Sequence, residues 1–276
     1  MTFRCAVAAR ARGDQIFGTA APGERWLLVE HPGPWPRRAF EASEVLTRIA
    51  QRATAAGVRA VLIRRPGRQV ASASLSYAFV DARPGVEGVW WSSFSDYDEL
   101  LSVPLAASGS SGPPVALVCA HGRHDTCCAI EGRPVAAALE AARPGTTWEC
   151  SHVGGDRFAA NVVLLPHGFY YGTLDPISAV AVADAYHAGR VVPEYLRGRS
   201  TFAPAVQAAQ HYARMASGDY ALDAFAPLGV SVLGEGVTRV RMEGALVTVR
   251  AGWSTAEVRT CAAGGPVVAR VFEQVE

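Results

Sequence analysis

The chain shows no excess of one charge and no long apolar run. Its 276 residues include 26 lysines and arginines and 25 aspartates and glutamates, a formal net charge of +1. This balance provides no electrostatic basis for binding nucleic acid or an anionic membrane surface. No run of about 18 apolar residues occurs, and residues 1–14 lack the apolar core of a secretory signal. We therefore expect a cytoplasmic protein whose partners include neither nucleic acid nor a membrane.

Two catalytic patterns are also missing. The sequence has no Cys-x-x-Cys pair, and the adjacent Cys127 and Cys128 would form a strained ring, which argues against a thiol–disulfide enzyme. No pair of carboxylates can be assigned to glycoside hydrolysis. The sequence therefore identifies no catalytic residue.

The chain instead concentrates soft ligands in one short stretch. Three of its six cysteines and two of its seven histidines lie in V-C-A-H-G-R-H-D-T-C-C, Val118–Cys128. In a reducing compartment, clustered cysteines more often bind metal or do redox chemistry than form structural disulfides. This stretch is therefore the first candidate for a functional site.

An order of strand, helix, strand, hairpin and helix occurs twice, which predicts an α/β fold with an internal duplication. The first copy comprises strands at 25–30 and 58–64, a helix at 42–56, a hairpin at 77–81 and 88–94, and a helix at 96–103. The second comprises strands at 114–119 and 146–152, a helix at 133–142, a hairpin at 161–165 and 168–172, and a helix at 176–188. This order is typical of a thioredoxin-like unit with a mixed sheet. One continuous sheet that repeats a common order is the alternative.

The remaining segments complete a prediction of four parts. Two tandem thioredoxin-like domains, 1–106 and 113–190, are separated by a Gly-, Ser- and Pro-rich linker. A helical segment follows at 191–229, with Tyr195–Ser217 as its helical core, and a small antiparallel sheet at 230–276.

The duplication predicts which strands of the two copies correspond. If the copies are related, Trp26–Glu30 should match Val115–Cys119, and Val89–Ser92 should match Phe169–Gly172.

The second copy alone carries soft ligands where its strands end. Its first strand leads into C-A-H-G-R-H-D-T-C-C and its next strand into E-C-S-H-V-G-G-D, whereas the first copy has E-H-P-G-P-W-P and R-R-P-G there. Functional sites of open α/β sheets gather at such strand ends. The two ligand-bearing loops should therefore meet.

These two loops resemble the sucrase/ferredoxin-like family, thioredoxin-fold ferredoxins that hold a 2Fe–2S cluster. The family pattern is Cys-x-His-Gly-x-x-Asp-x-x-Cys followed by Ser-His-x-Gly-Gly-His. The first part matches C-A-H-G-R-H-D-T-C-C and the second matches S-H-V-G-G-D except at its last residue. The resemblance implies a 2Fe–2S cluster with Cys119, Cys128 and His152 as ligands.

The fourth ligand stays open, because Asp156 stands where the family has a second histidine. Asp156 is favoured since it holds the aligned position and the preceding glycine pair lets the chain turn back beside His152. Carboxylate is nevertheless a harder ligand than iron–sulfur clusters usually take. Cys150 and Cys127 are the alternatives.

Other residues around the loops receive supporting or neutral roles. His121, Arg123 and Asp125 are candidates for residues that orient the ligands. Cys5 and Cys261, remote in sequence, are interpreted as small buried hydrophobes.

The resemblance favours a one-electron carrier or redox sensor that works with an unidentified redox partner protein. A zinc-stabilised interaction module is the second possibility, since two cysteines and a histidine also suit tetrahedral zinc. A thiol–disulfide oxidoreductase is the third, and it rests on fold analogy alone.

Overall fold

The computed structural model describes residues 3–67, 74–262 and 264–276. These residues form a ten-stranded mixed sheet with helices and a separate four-stranded antiparallel sheet, which confirms the predicted α/β class and the small C-terminal sheet. Among them, no helix combines the length and the apolar character needed to span a bilayer.

Five α-helices and fourteen strands make up the described chain. In order they are α1 Cys5–Arg12, β1 Arg25–Glu30, α2 Glu44–Ala55, β2 Arg59–Arg64, β3 Leu75–Asp81, β4 Gly88–Phe94, β5 Ser110–Ser111, β6 Val115–Cys119, α3 Thr126–Ala142, β7 Thr147–Cys150, β8 Val162–Leu165, β9 Phe169–Tyr171, α4 Pro176–His187, β10 Leu196–Arg199, α5 Pro204–Ser217, β11 Pro227–Gly234, β12 Val237–Met242, β13 Ala245–Trp253 and β14 Arg270–Val275.

The large sheet contains the same four-stranded unit twice. Its order is β10-β9-β8-β6-β7-β2-β1-β3-β4-β5, so the first copy reads β2-β1-β3-β4 and the second β7-β6-β8-β9. In each copy the first two strands are parallel and the hairpin is antiparallel. Antiparallel pairing of β2 with β7 joins the copies edge to edge. The repeated order and the continuous sheet, which the sequence left as alternatives, thus occur together.

The strand registers agree with one predicted correspondence between the copies. Glu30 pairs with Ile63 in the first copy, and Cys119 pairs with Cys150 in the second. The last residue of β1 therefore corresponds to the last residue of β6. At the junction, Ile63 and Cys150, which correspond to each other, are themselves paired.

The predicted match of the two hairpins is wrong by one residue. Ala78 and Val163 occupy equivalent positions in the two copies. Trp91 lies opposite Ala78 and Tyr170 lies opposite Val163, so Trp91 corresponds to Tyr170. The prediction instead aligns Trp90 with Tyr170. The prediction had matched the glycines that precede the aromatic pairs. Gly88 lies inside β4, whereas Gly168 has a positive φ of 71° and belongs to the turn before β9.

Helix α3 begins at Thr126, seven residues before the predicted start. Asp125 caps it by accepting a hydrogen bond from the backbone N–H of Cys127, at 2.9 Å. Gly132 and Pro134 are poor helix formers, so the sequence pattern does not predict a helix over the first turns of α3. Gly132 is required because a Cβ there would collide with the carbonyl oxygen of Cys119. This close approach holds the second turn of α3 against the end of β6.

The predicted helical segment is only partly helical. Leu196–Arg199 forms strand β10 beside β9, and helix α5 begins at Pro204. The strand was missed because its alternating residues include Arg197 and Arg199, which are 2% and 7% exposed and donate internal hydrogen bonds. The predicted short helix at 96–103 is a 3-10 helix over Tyr97–Leu101.

The two faces of the large sheet pack against different partners. Helices α2, α3 and α4 cover one face through two apolar clusters, one in each copy. The other face forms a cluster that spans both copies and includes Trp26, Trp148, Cys119, Cys128 and Cys150. The cysteines of the candidate site therefore lie at the rim of an apolar core.

Candidate metal centre

Three potential metal ligands converge at one end of the large sheet. The Nδ1 atom of His152 lies 3.8 Å from Cys119 Sγ and 3.9 Å from Cys128 Sγ. All three ligand atoms lie within 4.8 Å of one another. The cysteines are buried, whereas 19% of the His152 side chain is exposed. The structure thus brings together the three residues that the resemblance implied as ligands.

Each ligand comes from a different element that ends or begins at this edge. Cys119 is the last residue of β6, Cys128 lies in the first turn of α3, and His152 follows β7 by two residues. Since β6 and β7 are parallel neighbours, their carboxyl ends meet, as the sequence predicted.

Contacts among these three side chains shift their pKa values. A hydrogen bond from Cys128, together with the contact to His152, holds the pKa of Cys119 well below its usual range although the side chain is buried. The same hydrogen bond, with burial, raises the pKa of Cys128. Burial opposes protonation of His152, but the Cys119 thiolate and the Asp156 carboxylate raise its pKa. A bound cation would displace the remaining protons.

His121 positions His152 through the backbone. Its Nδ1 accepts the N–H of His152 at 3.2 Å, and its Nε2 lies 2.7 Å from the carbonyl oxygen of Pro36. A carbonyl only accepts, so Nε2 carries the proton and the ring is neutral. Burial lowers the pKa of His121 and favours this form. Both ring nitrogens are engaged, which fits the predicted orienting role.

Asp156 lies on the other side of the His152 ring from the two sulfurs. Its Oδ1 is 3.1 Å from His152 Nε2, while Nδ1 faces Cys119 and Cys128. His124 stacks on His152 with ring centroids 3.7 Å apart. This arrangement supports Asp156 as a carboxylate that orients the histidine. The Oδ1 contact is an ion pair without hydrogen-bond geometry, so a direct role of Asp156 in ligation stays a prediction.

The turn that carries Asp156 is held by a buried polar network. Gly154 and Gly155 have φ values of 99° and 85°, a conformation that favours glycine. The Asn161 side chain donates to the Gly155 carbonyl at 2.8 Å, and the Arg197 guanidinium donates to the Gly154 carbonyl, also at 2.8 Å. Sequence reasoning missed Arg197, because this residue lies more than 40 positions from the turn.

The two alternative fourth ligands lie elsewhere. Cys150 is buried in the apolar cluster, and it belongs to none of the ligand groups found among the described residues. The Sγ of Cys127 lies 3.4 Å from Cys261 Sγ, in a different group of potential ligands.

Two of the predicted orienting residues have other surroundings. Asp125 caps α3 and also accepts the backbone N–H of Cys261 at 2.6 Å. Arg123 lines an open cleft of about 260 Å³ beside the site, together with Trp35, Arg64 and Arg133.

The interpretation of Cys5 and Cys261 as isolated hydrophobes misses a second thiol group. Their sulfurs lie 3.5 Å apart, and with Cys127 and Asp125 they form a group whose ligand atoms are all within 4.8 Å of one another. No local spacing links residues 5, 127 and 261, so the sequence carried no signal for this group.

The fold and the site define a mixed α/β protein with a candidate metal centre of two cysteines and a histidine. The chain belongs to the sucrase/ferredoxin-like family, whose model matches residues 16–198, about two thirds of the sequence. No match was found among curated proteins or solved structures.

Proposed function

We propose that this chain is a one-electron carrier or redox sensor that holds a 2Fe–2S cluster on Cys119, Cys128 and His152. The convergence of two sulfurs and an imidazole nitrogen carries this proposal. Thiolate and imidazole are the donors that such clusters take, and a bound cluster exchanges single electrons. The family match supports the same assignment.

The residues of the chain divide this work between them. Cys119 and Cys128 supply sulfur from a buried, apolar rim that limits solvent access. His152 supplies Nδ1, and His121 holds the backbone of His152 in place. Asp156 faces the opposite ring nitrogen and completes the set of four residues, either by orienting His152 or by ligation.

A single zinc ion is the second candidate. The three ligand atoms all lie within 4.8 Å of one another, and this compact grouping also suits one tetrahedral ion. The chain would then be a zinc-stabilised module without electron transfer.

Metal and sulfide analysis of protein purified without air separates the two candidates. We expect about two irons and two sulfides per chain, a brown colour, and a paramagnetic resonance signal after dithionite reduction. Cys119→Ser and Cys128→Ser should each abolish iron binding, and Cys150→Ala is the matched control that should retain it. Colourless protein with zinc and no iron would overturn the cluster assignment.

The partner is proposed to be a redox protein that approaches the exposed edge of the site. His152 and His124 keep 19% and 30% of their side chains exposed, and the adjoining cleft contains Arg123 and Arg133. Acidic residues on the partner would complement this cleft. Electron transfer should then slow as salt increases. At low salt, the Arg123→Glu variant should transfer electrons more slowly than the wild-type protein.

We keep the cytoplasm as the proposed location, because all six cysteines are free thiols.

A further inference from the structure

The second thiol group joins three distant parts of the chain. Cys5 lies in α1, Cys127 in the first turn of α3, and Cys261 between β13 and β14. Cys261 Sγ lies 3.4 Å from Cys127 Sγ and 3.5 Å from Cys5 Sγ. Cys5 and Cys127 are fully buried, while Cys261 is half-buried and provides a path from solvent.

A carboxylate completes the group as a fourth potential ligand. Cys5 Sγ lies 3.6 Å from both carboxylate oxygens of Asp125. That carboxylate accepts hydrogen bonds from the N–H groups of Cys127 and Cys261 and from the Thr260 hydroxyl. A carboxylate offers about four lone-pair positions, so one stays available.

The distances match those of a single tetrahedral ion. A Zn–S bond of about 2.3 Å places the sulfurs of a tetrahedral site about 3.8 Å apart. Two of the sulfur separations, 3.4 and 3.5 Å, need to widen by only a few tenths of an ångström. All four ligand atoms already lie within 4.8 Å of one another.

Nearby donors also suit thiolates. The Arg4 Nε–H points to Cys127 Sγ at 3.4 Å, and the backbone N–H of Cys5 points to Cys261 Sγ at 3.4 Å. Such N–H donors stabilise negative sulfur around a metal. Arg4 also pairs with Glu131, at 2.7 Å, which fixes the guanidinium beside the thiols.

We infer that Cys5, Cys127, Cys261 and Asp125 form a structural zinc site separate from the centre at Cys119, Cys128 and His152. The ion fastens α1 and the C-terminal segment to the first turn of α3. The inference stands whether the first centre holds a cluster or not.

Zinc binding is tested in a chain that lacks the first centre. Cys119→Ser and Cys128→Ser are combined, and the full-length reduced protein is given Zn²⁺ alone, without air, and then dialysed. One zinc per chain is expected, and Co²⁺ in its place should give thiolate charge-transfer absorption. Adding Cys261→Ser should lower zinc affinity at least tenfold, whereas adding Cys150→Ala, the matched control, should leave it unchanged.

Several results would overturn the inference. The first is a double variant that folds but binds no zinc, and the second is zinc binding that Cys261→Ser leaves unchanged. The others are binding of Cu⁺ but not of Zn²⁺, and a Cys127–Cys261 disulfide in the reduced preparation. If the double variant fails to fold, Cys261→Ser alone answers the question in the otherwise unaltered chain. It should lose one zinc per chain and keep the iron, while unchanged zinc or a parallel loss of iron refutes a separate site.

Discussion

The two copies of the four-stranded unit share their strand order and differ at the end where β1, β2, β6 and β7 stop. Glu30 stands where the second copy has Cys119, and its carboxylate accepts the N–H of Ser76 at 2.7 Å. Arg65 stands where the second copy has His152, two residues after the equivalent Ile63 and Cys150, and its guanidinium lies 3.6 Å from the ring centroid of Trp148. The same strand order is thus compatible with very different side chains at the strand ends, and these side chains decide whether a copy can hold a metal.

The first copy also supports the site of the second. Pro36, in the loop after β1, accepts the hydrogen bond of His121, and Trp35 packs edge-on against the same ring. Ser151 accepts the backbone N–H of Leu62 across the junction. The first copy carries none of the three converging ligands, but its contacts help to position His121 and the segment that carries His152.

The largest expected difference between the copies concerns their histidines. His152→Ala should remove bound iron almost completely, because it deletes one of three converging ligands. His31→Ala, in the loop of the first copy, should leave iron content unchanged. Iron and sulfide analysis of both variants checks this, and equal losses would show that the first copy also takes part in binding.

Removal of the Asp156 carboxylate should have a smaller effect than removal of His152. A carboxylate that orients a ligating histidine is worth about 10- to 100-fold in metal affinity. Chelator competition on Asp156→Ala should show a weakening of this size, and Asp156→Asn should recover part of it. A loss as complete as that of His152→Ala would make Asp156 the fourth ligand, as favoured from the sequence.

The junction between the copies should contribute measurably to stability. Arg64 on β2 and Glu149 on β7 are paired at 2.8 Å, with 15% and 8% of their side chains exposed. Glu149→Gln should lower the free energy of unfolding by about 2 kcal/mol, since it weakens a charged hydrogen bond. Glu41→Gln, which weakens the Arg38–Glu41 pair, exposed by 83% and 56%, should cost less than about 0.5 kcal/mol.

Urea unfolding of both variants also reports on the domain division. One cooperative transition is expected for the continuous sheet. Two separate transitions would instead favour the independent domains, 1–106 and 113–190, that the sequence predicted.

A smaller effect than that of Glu149→Gln is expected at His31. Burial first, and Arg64 second, lower its pKa, so the folded state favours the neutral ring. Its contribution to stability is therefore complete above the unfolded pKa of about 6.5 and is lost as pH falls through the lower folded value. Between pH 7.5 and 5.5, the wild-type protein should lose more unfolding free energy than His31→Gln, by no more than about 1.4 kcal/mol. Parallel losses would show that His31 titrates as it does when unfolded.

Local patterns were a reliable guide wherever burial repeats with a simple period. Strands such as Arg25–Glu30 and Gly88–Phe94 have the bounds that alternating or continuous apolar residues predicted. The same patterns failed at β10, where buried arginines replace apolar residues, and at the start of α3, where Gly132 serves a close contact and lowers helix propensity. In both places a tertiary contact overrides the local preference.

The sequence by itself determined that the loops carrying Cys119, Cys128 and His152 meet, since both loops leave the same ends of two strands of one α/β unit. Only the tertiary structure decided that Asp156 faces the far ring nitrogen of His152, because this depends on a turn held by Arg197. It alone assembled Cys5, Cys127 and Cys261, which are separated by more than a hundred residues along the chain. Contacts at that separation depend on how the helices and the two sheets pack, and no local period of the sequence encodes them.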